Sequence, residues 1–149
     1  MSNVMTNISK AEQQIRDLVN QYVSAVRTKD LSRVAALYTD EVLAFDAILA
    51  LQFKGKTAYM AHWQTCMEFA KGETLYEVHQ LQVTASEQLA FSHSVNLCGC
   101  ANAQGQMEKS WMRSTQCWRH TNEGWKIAHE HFSAPFDVEN GQALFTLQP

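Results

Sequence analysis

The chain has 149 residues, enough for one domain with a buried core and too few for two. Hydrophobic residues make up 46% and charged residues 18%, as in an ordinary globule, and a formal net charge of −3 supplies no basic field for nucleic acid or anionic lipid. No apolar run is long enough to span a bilayer, so neither nucleic acid nor membrane is an expected partner.

The opening stretch MSNVMTNISKAEQQ carries no apolar h-region, which leaves a cytoplasmic protein as the expectation, with residues 1–8 a flexible lead into a single domain. A capping box, Ser9 with Glu12, then announces a long amphipathic helix whose apolar stripe is Ile15, Leu18, Val19, Tyr22, Val23 and Val26. Asp30 is placed to cap a shorter second helix through Val34, Leu37 and Tyr38, stopped by the polar turn Thr39, Asp40 and Glu41. A strand, VLAFD, follows. After Gly55, the stripe Tyr59, Met60, Trp63, Met67 and Ala70 predicts a third helix, with Gly72 as its stop. The period then changes. ETLYEVHQLQVTA, QLAFSHSVNLCGCAN, QMEKSWMRSTQCWRH and WKIAHEHFS are strand-length runs separated by turn signals at Ser86-Glu87, Ala103-Gln104-Gly105 and Thr121 to Gly124. The closing stretch FDVENGQALFTLQP is expected to lie across the sheet. Cys66, Cys98, Cys100 and Cys117 include a C-x-C but no C-x-x-C, and read as small buried hydrophobes, a free redox-active thiol being the alternative.

Helices followed by a run of strands specify an α+β domain with the helices gathered on one face of a curved sheet. A bent sheet and a long helix enclose a cone, and its interior is the natural ligand pocket.

This element order resembles the nuclear transport factor 2-like superfamily. The segments AFSHSVNLCGC, WMRSTQCWRHTNEGWKIAHEHFSAPFD and NGQALFTLQP resemble its SnoaL-like group of ketosteroid-isomerase homologues, over residues from about 9 to 149. The resemblance implies a cone-shaped, cystatin-like α+β domain: three N-terminal helices on a strongly curved mixed or antiparallel sheet around a pocket. The stretch QYVSAVRTKDLSRVAALYTDEVLAFDA is similar to the steroid isomerases without a gap, which implies Tyr22 as the oxyanion-hole tyrosine and Asp46 as the general base. The isomerases' second oxyanion donor falls at Gln116, and their pocket positions on the last strand at Glu130, Phe132 and Ala134. Glu130 or His93 then stands as a second acid. Asp46 as a cap of the loop after its strand, and Tyr22 as a plain core aromatic, remain the alternatives.

In GWKIAHEHFS, regular alternation puts Trp125, Ile127, His129 and His131 on one face and Glu130 with Phe132 on the other. The resemblance turns the Glu130 face inward. Trp125 and Ile127 would then lie on the outer face, where a second subunit packing sheet to sheet would cover them, giving a homodimer. Trp63 and Trp118 are expected to line or floor the pocket. His93, in the apolar stripe Leu89, Phe91, Val95 and Leu97, is a pocket ligand-binding residue if that stripe faces the interior and a satisfied core histidine otherwise. Arg113, flanked by Trp111 and Thr115, needs an acid, either Asp46, Glu130 or the carboxylate of a ligand, yet alternation puts it opposite Gln116. A metal site built on His129 and His131 with His79 or Cys100 lacks a fixed third ligand, so no metal and no cofactor are expected.

The function so read is the binding of a small, mostly apolar molecule bearing a carbonyl or carboxylate, with cofactor-free isomerase, cyclase or dehydratase chemistry by proton transfer. The alternative is a non-catalytic ligand-binding or assembly domain with a vestigial pocket.

Overall fold

The computed structural model describes the backbone of residues 2–149 and the side chains of residues 9–149, so the expected flexible lead at 1–8 lies outside the fully described residues. Helix α1 (Ser2–Arg27) is followed by α2 (Leu31–Ala35), β1 (Tyr38–Phe45), β2 (Phe53–Lys54), α3 (Lys56–Phe69), β3 (Lys71–Ala85), β4 (Leu89–Ala101), β5 (Met107–Thr121) and β6 (Gly124–Ser133). The strands form one six-stranded sheet in the order β2-β1-β6-β5-β4-β3. It is mixed, because β1 runs parallel to β6 while every other pair is antiparallel. The α+β class holds.

Helix α1 buries the expected stripe, with Ile15, Val19, Tyr22, Ala25 and Val26 against β3 and the sheet interior. It begins at Ser2, so the Ser9–Glu12 box lies inside the helix and is not its start. Asp30 caps α2 as expected, its carboxylate accepting from the Arg33 amide at 3.2 Å. That helix stops at Ala35, short of Leu37 and Tyr38, because the sheet claims the next residues. The Leu37 carbonyl accepts from the Ile127 amide at 2.8 Å, and Tyr38 pairs with Ile127 as the start of β1.

Among the register shifts in the sheet, two decide which residues face inward. On β3, Gln80 and Leu81 stand opposite the single residue Ser94, and Gln80 takes a φ of 55°. On β6, the pairs Trp118↔Ile127 and Cys117↔His129 leave Ala128 as an extra residue. The second bulge overturns one expectation. Trp125 and Ile127 are buried inside with Glu130 and Phe132, while His129 and His131 lie outside. The Trp125 indole crosses to α1, where it donates to Gln14 at 3.2 Å.

Strand β4 inverts the usual pattern. Its buried residues are Ala90, Ser92 and Asn96, whereas Leu89 and Phe91 are 58% and 46% exposed. The inward polar groups are paired: Ser92 accepts from Trp118 Nε1 at 2.9 Å, and Asn96 Nδ2 donates to Ser114 Oγ at 2.9 Å. The apolar stripe that includes His93 therefore faces outward. Its neighbours on the outer face, Arg113, Thr115 and His131, share a hollow of about 540 Å³ with it.

Gly99 allows a close approach between β4 and β5. A Cβ there would collide with the Glu108 carbonyl oxygen, a backbone atom that cannot swing aside. We expect Gly99→Ala to lower stability by about 2 kcal/mol in urea titration, as overpacking does. A neutral result would mean that the two strands separate without cost.

Candidate functional site

The end of β1, helix α3 and the inner faces of β3 to β6 enclose a cavity of about 460 Å³, within the usual range for small-molecule sites. Its wall is mainly apolar, with Val26, Leu75, Tyr76, Met112, Phe132 and Phe145 among the lining residues. The C-terminal stretch closes one side, where the Phe145 carbonyl accepts from the Trp111 amide at 2.9 Å. The hollow on the outer sheet face is larger, but it holds no residue of this interior wall.

Asp46 lines the cavity. Alternation from Val42 and Ala44, both fully buried, carries its side chain inward as β1 ends. One carboxylate oxygen accepts from the Ala47 amide at 2.8 Å, and the other lies 2.5 Å from His62 Nε2. His62 is presented by α3, its ring stacked on Phe53 at 4.1 Å, and one helical turn further the Cys66 sulfur lies 3.7 Å from the same nitrogen. The Asp46 side chain is 14% exposed and that of His62 only 4%, so the carboxylate is the more accessible member of the pair. Burial, and then the Asp46 charge, push the Cys66 thiol up, which keeps it protonated beside the imidazole.

Glu130 points inward as expected but is fully buried and does not line the cavity. Its Oε2 accepts from Tyr38 at 2.7 Å and from Tyr59 at 2.5 Å, and its Oε1 accepts from Gln116 at 2.7 Å. Burial lifts its carboxyl to about 7, against the opposing pull of the Tyr59, Gln116 and Tyr38 hydrogen bonds. Burial, then the Glu130 charge, hold the hydroxyls of Tyr22, Tyr38 and Tyr59 well above the ordinary tyrosine value, so they remain donors.

The expected site residues thus separate into three groups. Asp46, Trp63 and Phe132 line the cavity. Tyr22, Gln116, Glu130 and Trp118 sit in the packed interior. Tyr22 stands one layer behind the wall, its ring edge-on to Trp63 and Tyr76 at 6.0 and 5.8 Å. His93 and Arg113 are on the outer face, where Arg113 Nε donates to Ser133 Oγ at 2.9 Å, so neither faces Asp46. Alternation holds along β5, and Arg113 and Gln116 are on opposite faces, which removes Arg113 from the interior. His62 and Tyr59 are the residues that strand counting missed. Their signal was present in KTAYMAHWQTCMEFA, where Tyr59, His62 and Cys66 recur at helical spacing.

Among the described residues no group of three or more His, Cys, Asp or Glu side chains is placed to hold a metal ion. His129 Nδ1 lies 2.6 Å from the Leu43 carbonyl, and His79 pairs with Glu77. Nor, among those residues, is any helix long and apolar enough to cross a membrane.

Comparison with known proteins agrees with this architecture. The profile of the SnoaL-like domain matches residues 15–137. A crystal structure of an NTF2-like protein of unknown function from Pseudomonas putida KT2440 is 45% identical, covers 95% of this chain and 98% of its own, and superposes with a TM-score of 0.88. A nuclear transport factor 2-like superfamily protein from Salmonella enterica serovar Typhimurium is 18% identical over 91% of this chain and 99% of its own, with a TM-score of 0.77. An NTF2-like protein with a cystatin-like fold from Novosphingobium aromaticivorans is 16% identical over 83% and 80% of the two chains, with a TM-score of 0.69. No curated protein matches the chain.

Proposed function

The chain belongs to the SnoaL-like domain family, and on that premise we propose that it binds a small, mostly apolar carbonyl- or carboxylate-bearing molecule and moves a proton at carbon next to the carbonyl. One observation carries the reading: an Asp46–His62 pair, 2.5 Å apart, at the wall of an apolar cavity. Asp46 is the base. It takes the proton from the carbon, the electron pair of the broken C–H bond moves onto the carbonyl oxygen as an enolate, and the proton returns to the same or another carbon. His62 is a positioning residue, donating from Nε2 to the carboxylate and fixing its direction.

The test uses β-tetralone, an apolar bicyclic ketone with acidic protons beside its carbonyl. In heavy water the protein should accelerate loss of those protons, followed by NMR, above the buffer rate. Binding without acceleration would retire the catalytic reading.

A second reading, a non-catalytic binding or assembly domain, draws on one specific observation. Both expected oxyanion donors are engaged elsewhere, Gln116 on Glu130 and the Tyr22 hydroxyl 3.5 Å from Tyr38. Either reading fits a cytoplasmic homodimer joined through the outer sheet faces, with exposed Leu89 and Phe91 replacing Trp125 and Ile127 as the covered apolar residues. Phe91→Asp should weaken that dimer at least about tenfold in light-scattering chromatography, because a carboxylate would be buried without a partner. An unchanged elution mass would exclude this face.

A further inference from the structure

Among the described residues, two buried side-chain N or O atoms lack a hydrogen-bond partner: Trp63 Nε1 and Thr74 Oγ1. Unpaired buried polar atoms are rare because losing water without gaining a partner is costly. Both residues line the one cavity that also holds Asp46 and His62, Trp63 from α3 and Thr74 from β3. The contrast with other indoles is direct. Trp118 Nε1 has Ser92 at 2.9 Å and Trp125 Nε1 has Gln14 at 3.2 Å, so this fold supplies acceptors to the two buried tryptophans outside the cavity wall. An indole N–H only donates, so the partner missing at Trp63 is an acceptor, while the Thr74 hydroxyl both gives and takes.

We propose that Trp63 and Thr74 form an oxygen-binding subsite, which takes a carbonyl, ether or hydroxyl oxygen of an otherwise apolar guest. The subsite rests on the cavity being the ligand site, as argued above, but not on Asp46 acting as a base. Trp63 donates to an oxygen of the guest, and Thr74 donates to a guest oxygen or accepts from a guest hydroxyl. His62 and Trp63 are consecutive on α3, so an oxygen held at the indole orients the guest's body relative to the Asp46–His62 pair. A hydrocarbon of the same shape leaves both atoms unpaired and is disfavoured.

Equilibrium dialysis with β-tetralone and its methylene analogue, in which C=CH₂ replaces C=O, tests this. The wild type should bind the ketone about tenfold more tightly than the analogue. Trp63→Phe and Thr74→Val should erase most of that preference, the ratio of the two affinities in each variant being the readout because both compounds touch the same apolar wall. A measurement on the unmodified sequence removes any dependence on how the variants fold: in isotope-labelled protein the Trp63 indole N–H resonance should move downfield with the ketone and stay in place with the analogue. Equal affinity of the wild type for the two compounds, an unmoved indole resonance, or a preference that survives Trp63→Phe would overturn the subsite while leaving the cavity reading intact. If neither compound binds, the cavity reading fails and takes the subsite with it.

Discussion

Replacing Asp46 by asparagine should slow protein-catalysed deuterium exchange into β-tetralone by about a thousandfold, the usual range for loss of a positioned base. The substitution preserves shape. The asparagine carbonyl oxygen still accepts from the Ala47 amide, which now holds the carboxylate at 2.8 Å, and the new amide group donates to His62 Nε2 once the imidazole takes the tautomer protonated at Nδ1. What disappears is the basic lone pair directed at the cavity. Affinity for the ketone should therefore stay near the wild-type value while the rate falls, a division that separates loss of chemistry from loss of binding. If Asp46→Asn keeps the exchange rate within a few-fold of wild type, the base lies elsewhere. If wild type and variant both match buffer, the chain binds without catalysing.

The carboxylate of AFDA was legible in the sequence because alternation is reliable over a short run beyond a strand's register shift, and Val42, Ala44 and Asp46 keep it. The same rule failed on β6, where the extra residue Ala128 reverses the parity of everything before it. Trp125 and Ile127 look like outer-face residues in a string of letters, yet they are buried. β4 failed for a different reason. Its apolar stripe faces outward because Trp118, Asn96 and Ser114 supply hydrogen-bond partners for a polar inner face, so hydrophobicity misjudged which side was the interior. Glu130 was correctly turned inward, but its surroundings were not predictable locally, since Tyr38 and Tyr59 reach it from 92 and 71 residues away in sequence. His62 was missed for a related reason: it stands beside the helix stripe of Tyr59, Met60 and Trp63, and its meaning depends on Asp46 arriving from another element. Helix and strand existence follow from periodicity, whereas pairing across elements depends on bulges and long-range contacts that periodicity does not encode.

Glu130 should also set the pH dependence of folding stability. In the native protein its carboxyl is lifted from 4.5 to about 7 by burial, so between these pH values the folded chain holds a proton that the unfolded chain has released. Bound protons are then more numerous in the folded state, and stability falls as pH rises through this window. The contribution is fully present below about 4.5, is lost progressively toward about 7, and is flat above that value. A displacement of this size corresponds to about 3 kcal/mol across the window. Glu130→Gln removes the titration but keeps an oxygen for Tyr38 and Tyr59, and Gln116 can turn its own amide to accept from the new one. Urea titrations at several pH values should show the variant gaining on the wild type as pH rises, by about 3 kcal/mol between acid and neutral conditions. The difference isolates Glu130, because every other titrating group is common to both proteins. Parallel curves would mean that the three donors, Tyr38, Tyr59 and Gln116, hold the carboxylate ionised throughout and outweigh its burial. The polar cluster beneath the cavity would then be a fixed negative charge facing Tyr59, which packs beside His62, and no proton would reside there at neutral pH.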